Sequence, residues 1–199
     1  MYDVEIIKIG DQQWSSKNLD VDSFKNGEMI PECKSDDEWK DRGENGSPAW
    51  CYFDNDQMNG EKYGKLYNWY AVNDQRGLAP IGWHIPTRDE WLELDGILGE
   101  EVAGIKVKST TGWNDDGNGT NESGFNGLPG AFRMAFGQFG DDYTSVGDIG
   151  CWYSSTEKLK ENGDSTIMAY QIDLSKEKTN LGMIDDYKYN GCYVRCIKD

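Results

Sequence analysis

PTRDEWLELDGILG, residues 86–99, reads as a capped amphipathic helix, and the fold follows from what lies on either side of it. Thr87 stands as N-cap with Glu90 three residues on, so each satisfies a backbone N–H of the other's first turn. Trp91, Leu94 and Leu98 then form one apolar stripe, and Gly99 stops the run. Upstream, Ser35-Asp36-Asp37-Glu38 repeats the capping pattern and predicts a short helix over 36–42. Tyr63, Leu66, Tyr67, Tyr70 and Ala71 share one face at helical spacing, which predicts a second main helix. EEVAGIKVKS (100–109) adds a third short helix or turn, and 44–64 reads as a loop holding at most a short strand.

Downstream the texture changes. TTGWNDDGNGTNESGFNGLPG (110–130) is dense in Gly and Asn and too long for a turn, so it reads as a structured loop. After it come short apolar runs separated by Gly, Asp and Asn: AFRMAF (131–136), GCWYSST (150–156), IMAYQIDLS (167–175), LGMID (181–185) and CYVRCIK (192–198). With YDVEIIKI (2–9) as a first strand, helices early and hairpins late predict an α+β fold, not a parallel α/β sheet. Neither a repeat nor a linker divides the chain, so 1–199 is expected to be a single domain.

The 199 residues carry 36 acidic and 20 basic side chains, a net charge of −16. Mean hydropathy is −0.78, yet eight Trp and eleven Tyr separate the chain from disordered acidic sequences, which lack aromatics. So negative a field repels a phosphate backbone, which excludes nucleic acid as partner. No apolar run approaches the roughly 20 residues of a membrane span. MYDVEIIKIG lacks the basic and apolar regions of a signal peptide.

Several segments together resemble the Fibrobacter succinogenes major paralogous domain family: IGDQQWSSKNL (9–19), PAWCYFDND (48–56), YGKLYNWYAV (63–72), APIGWHIPTRDEW (79–91), STTGWNDDGNGTNESGFNGLPGAFR (109–133), CWYSSTE (151–157) and YVRCIKD (193–199). The resemblance implies a C-type-lectin-like domain, with two main helices packed on antiparallel strands, long structured loops, and N- and C-terminal strands side by side. It also implies a secreted or cell-surface protein. A family disulfide inference reaches only Cys51 and Cys196. Ser16 departs from the Ala-Glu-Asn-Leu type of sequence common there, and Cys33 and Cys192 fall outside the motifs.

Several residues could carry chemistry. His84, the only histidine, has no partner nucleophile and reads as a packing corner. Asn114, Asp116 and Asn118 before Gly119 match the first half of a calcium loop, with Asp115 and Glu122 as further carboxylates. The twelfth position is Phe125 rather than a bidentate Glu, and the same residues suit Asx turns that satisfy the loop's own backbone. The Asx-turn reading outweighs the metal one, so no cofactor is expected, with calcium at this loop as the alternative. Trp113-Asn114-Asp115 resembles half of a lectin calcium–sugar motif, but the Glu-Pro-Asn partner is missing.

Five cysteines, Cys33, Cys51, Cys151, Cys192 and Cys196, allow two disulfides and a free thiol in fifteen ways, and no C-x-x-C zinc spacing occurs. In an extended strand Cys192 and Cys196 would lie about 13 Å apart, too far to bond without a turn. Cys192-Tyr-Val-Arg-Cys196 resembles the copper-binding pair of formylglycine-generating enzymes, one residue shorter, which makes a copper oxidase the alternative function.

Tyr143, Tyr170, Tyr187, Tyr189 and Asn190 fall in or near turns, where Tyr with Asn, Ser and Gly makes an adaptable contact surface. The leading expectation is a non-enzymatic ligand-binding or adhesion module of a bacterial surface or phage-type receptor-binding protein. It would meet a protein or glycan on a cell surface through its late loops and strands. Retroelement-diversified proteins, which vary this face of the lectin-like fold, are a fold-level analogy.

Overall fold

In the computed structural model of the chain, the structure described comprises residues 4–140 and 145–199. Strands β1 (Ile6–Ile9) and β2 (Gln12–Ser15) form a hairpin closed by a two-residue turn. Gly10 begins that turn at φ +60°, a conformation glycine adopts without a Cβ clash. α1 (Asp36–Glu44) begins at the Ser35–Glu38 capping box, as its sequence predicts.

The segment 44–72 departs from the sequence reading. It runs β3 (Trp50–Cys51), a 3₁₀ turn, α2 (Gln57–Tyr63), β4 (Leu66–Tyr67) and α3 (Trp69–Val72). Asp56 caps α2 inside the supposed loop. The helix expected from Tyr63 to Ala71 does not form, because Gly64 at φ +84° ends α2 and the Asn68 side chain caps α3. Between them Leu66 and Tyr67 pair with Cys51 and Trp50, so the helical spacing of these residues belongs to three short elements.

β5 (Trp83–His84) leads into α4 (Arg88–Leu98), with Thr87 and Glu90 as its capping box, Trp91 and Leu94 buried and Gly99 as its end. α5 (Ala103–Val107) is the predicted third short helix. The late strands are β6 (Ile149–Leu159), β7 (Ser165–Ser175) and β8 (Gly182–Tyr187), an antiparallel sheet in the order β6-β7-β8. AFRMAF contributes isolated bridges at Ala131 and Arg133 rather than a strand. β9 (Ile197–Lys198) closes a four-stranded sheet, β1-β2-β9-β5, so the N- and C-terminal strands pair, Trp14 opposite Ile197. Helices with antiparallel sheets make this an α+β fold.

Aromatic rings build the core. Trp14, Trp91, Phe125, Trp152 and Tyr193 are all buried, and their successive ring centroids lie 4.6 to 6.5 Å apart. Each such ring buries on the order of 150–250 Å², which offsets the scarcity of aliphatics. Arg195 runs through this core with its guanidinium over Phe125, donating to Asn18 Oδ1 and to the Ser15 and Phe125 carbonyls. It thereby joins the last segment to the first hairpin and to the long loop.

Candidate functional site

After β8 the chain turns through YKYN, residues 187–190, closed by the Asn190 N–H donating to the Tyr187 carbonyl. Alternate residues face opposite ways. Lys188 is buried: its ammonium donates to the Thr166 carbonyl and Glu157 and sits 4.6 Å from the Trp69 ring centre. Asn190 is 3% exposed. Tyr187 is exposed and Tyr189 half-buried. From below, the Tyr153 hydroxyl donates to the Tyr187 and Asn190 carbonyls, and Trp39 Nε1 donates to the Tyr189 carbonyl at 2.7 Å. Gly43 in α1 is required here, because a Cβ would meet the Tyr189 side chain at 2.8 Å.

The two tyrosines continue into a row. The Tyr189 ring lies 6.0 Å from Tyr70 of α3 and 6.2 Å from Tyr187, near-parallel to both. Tyr187 in turn meets Phe136 at 6.4 Å. Phe136 is 58% and Tyr187 38% exposed. Burial and the adjoining Tyr189 push the Tyr70 hydroxyl up to about 12, so it remains a neutral donor. A cleft of about 450 Å³, lined by Gly46, Trp69, Tyr70, Asn73, Asp74 and Arg76 among others, adjoins the Tyr70 end.

Phe136 is held by a buried arginine. The Arg133 guanidinium donates to the carbonyls of Gly137, Cys33 and Ser35 and packs between the Trp39 and Phe139 rings. The Arg133 backbone exchanges two hydrogen bonds with Gly191, which ties the 134–137 turn to the 187–190 turn. Three carboxylates lie close by: Asp36 against Arg133, Asp186 accepting from the Tyr187 N–H, and Glu157 near Tyr70.

Of the contact residues expected from sequence, the structure joins Tyr187 and Tyr189. Tyr170 points elsewhere, its ring face taken by Arg88 and Lys158 at 4.8 and 5.3 Å. Asn190 is corrected from a surface contact to a buried turn residue, since alternation turns it inward. Tyr143 lies outside the described residues. Tyr70 and Phe136 were missed, Tyr70 because it passed for a helix stripe. Gly137 just after Phe136, at φ +103°, is the turn signal that marks Phe136 as a tip residue.

The candidate calcium loop is differently built. Asn118 Oδ1 accepts the Trp113 N–H, and Asn114 Nδ2 donates to Asp148. Lys176 places its ammonium 2.5 Å from Asp115 and 2.9 Å from Asp148. Asp116 and Glu122 are exposed. Among the described residues no group of three or more His, Cys, Asp or Glu side chains is arranged to hold a metal. The Asn118 amide serves the loop's own backbone, the Asn114 amide is taken by Asp148, and a protein cation already meets Asp115.

All five cysteines are buried free thiols. Cys51 and Cys196, the two that the family disulfide inference reaches, lie in separate core clusters, and burial raises each thiol to about 12. Cys192 meets Cys151, Sγ to Sγ 2.8 Å. His84 bridges Glu90 and Asp199 at 2.8 Å each. Burial acts to lower its pKa, but the two carboxylates prevail and raise it.

The family model of the Fibrobacter succinogenes major domain matches residues 7–198, nearly the whole chain. The chain belongs to that family. No curated protein and no solved structure matches it.

Proposed function

We propose that this Fibrobacter succinogenes major domain is a non-enzymatic binding module whose contact face is the row Tyr70–Tyr189–Tyr187–Phe136. The row itself carries the reading: four neighbouring rings on a braced surface, two of them well exposed, are the kind of rigid, amphipathic area that anchors interfaces. The partner we infer is a protein that presents Lys or Arg side chains. Ring faces attract cations, and the net charge of −16 favours a basic partner. A C-type-lectin-like arrangement is part of the same proposal, and the pairing of β2, in the N-terminal hairpin, with the last strand supports it. So is a place on the cell surface or outside the cell, which rests on the resemblance alone.

The test is binding of the folded domain to intact cells, with and without prior protease or glycosidase treatment of those cells. The proposal expects protease-sensitive binding that weakens as salt rises and falls at least tenfold in F136A and Y187A. Binding removed by glycosidase alone would make the ligand a glycan. Full binding by both variants would remove the row as the contact face.

A further inference from the structure

We propose that Cys151 and Cys192 form a disulfide when the protein folds in an oxidising compartment, fastening the base of the sheet arm that carries Tyr187 and Tyr189. Their sulfurs are 2.8 Å apart, the one sulfur–sulfur hydrogen-bond contact among the described residues. A disulfide bond is about 2.05 Å long, so closing it asks for a shift of under about 1 Å. The backbone already fixes the pair. Tyr193 donates to the Cys151 carbonyl and Tyr153 to the Tyr193 carbonyl, so the C-terminal segment runs beside β6 with the two cysteines as neighbours. The inference is independent of the binding reading and goes beyond it.

The bond would join residues 41 apart in sequence, enclosing most of β6 and all of β7, β8 and the 187–190 turn. Closing a loop of that length removes much of the unfolded chain's freedom. The chemistry is thiol–disulfide exchange with a small disulfide such as oxidised glutathione. One thiol loses its proton to solvent, and its thiolate attacks the oxidant, forming a mixed disulfide and releasing one glutathione thiolate. The second cysteine, deprotonated in turn, attacks the protein sulfur of that mixed disulfide. The Cys151–Cys192 bond forms, and a second glutathione thiolate leaves. Two cysteines lose two electrons and two protons, and one glutathione disulfide becomes two thiols. In the closed fold burial raises both thiols, disfavouring the thiolate that must attack. The exchange therefore belongs to folding, or to an opening of the arm, and the finished bond is shielded from reductants.

The experiment refolds the full chain in reduced and in oxidised glutathione, then counts thiols in denaturant and maps linked peptides by mass spectrometry. Expected are five thiols in the reduced sample and three in the oxidised, with a single peptide pair joined through Cys151 and Cys192. The oxidised protein should melt roughly 5–15 °C higher, and C151S and C192S should each abolish that rise. Peptide mapping needs only the wild-type chain, so it decides the matter even if neither variant folds. Five thiols after both treatments, or a link through Cys33, Cys51 or Cys196, would overturn the proposal. Neither readout depends on ligand, so a failed binding screen leaves it standing.

Discussion

The loop of residues 113–122 (WNDDGNGTNE) and the turn of residues 187–190 (YKYN) both combine aromatic and Asn side chains, yet they end in opposite states. In the loop, the side chains face home. Asn118 caps the Trp113 N–H, Asn114 holds Asp148, and Lys176 neutralises Asp115. In the turn, buried neighbours take over that work: Tyr153 and Trp39 bond its carbonyls, so the Tyr187 and Tyr189 side chains are not spent on the turn's own backbone. A polar, aromatic segment can leave its rings outward where something beneath it satisfies the backbone. Where its own side chains must do so, it is structure.

That contrast breaks most easily at the support beneath the turns. Arg133→Met strands the Gly137, Cys33 and Ser35 carbonyls and should cost about 3–5 kcal/mol in a denaturant melt. A loss under about 1 kcal/mol would mean that the row does not depend on this brace. In the loop, Asn118→Ala removes a single side-chain bond, and about 1 kcal/mol is expected by the same melt.

Lys176→Met should lower the melting temperature by about 2–4 °C, and the pH dependence should change with it. The hydrogen bond from Lys176 is the main reason the Asp148 carboxyl lies below its ordinary 3.8. A depressed carboxylate stabilises the fold above its unfolded pKa and stops doing so as pH falls through its folded value. Wild type should therefore lose stability from about pH 4 downward more steeply than the variant. Parallel acid profiles would show that Lys176 does not set Asp148. The smallest effect on stability belongs to the row: Tyr187→Ala should cost under about 1 kcal/mol in the melt while weakening ligand binding at least tenfold. If stability and binding fell together, Tyr187 would be a packing residue, and the two regions would be alike after all.

Much of this could be read from sequence where the signal is local. Thr87 and Glu90, or Ser35 and Glu38, declare a helix start within four residues, and both capping boxes form. The same holds for β6, β7 and β8, whose apolar runs lie between turn residues. Residues 63–72 misled because helical spacing counts positions and ignores backbone conformation. Gly64 and Asn68 interrupt the run, and only pairing with Trp50 and Cys51 makes Leu66 and Tyr67 a strand. The site was half legible for a related reason. Tyr187 and Tyr189 stand out in YKYN, whereas Tyr70 and Phe136 reach them only through the fold, from residues far apart in the chain. Asn190 went wrong because alternation in a turn, unlike alternation in a strand, leaves no trace in composition.

The anchoring of the 187–190 turn has one more consequence. Trp39 and Tyr153 grip main-chain oxygens, which every amino acid possesses, rather than the tyrosine side chains themselves. The grip is therefore blind to what occupies position 187, while position 189 stays limited to what packs on Gly43. Mutation can exchange the outward group at 187 while the scaffold stays as it is, so, on the binding reading proposed above, descendants of this domain can acquire new partners without first having to relearn how to fold.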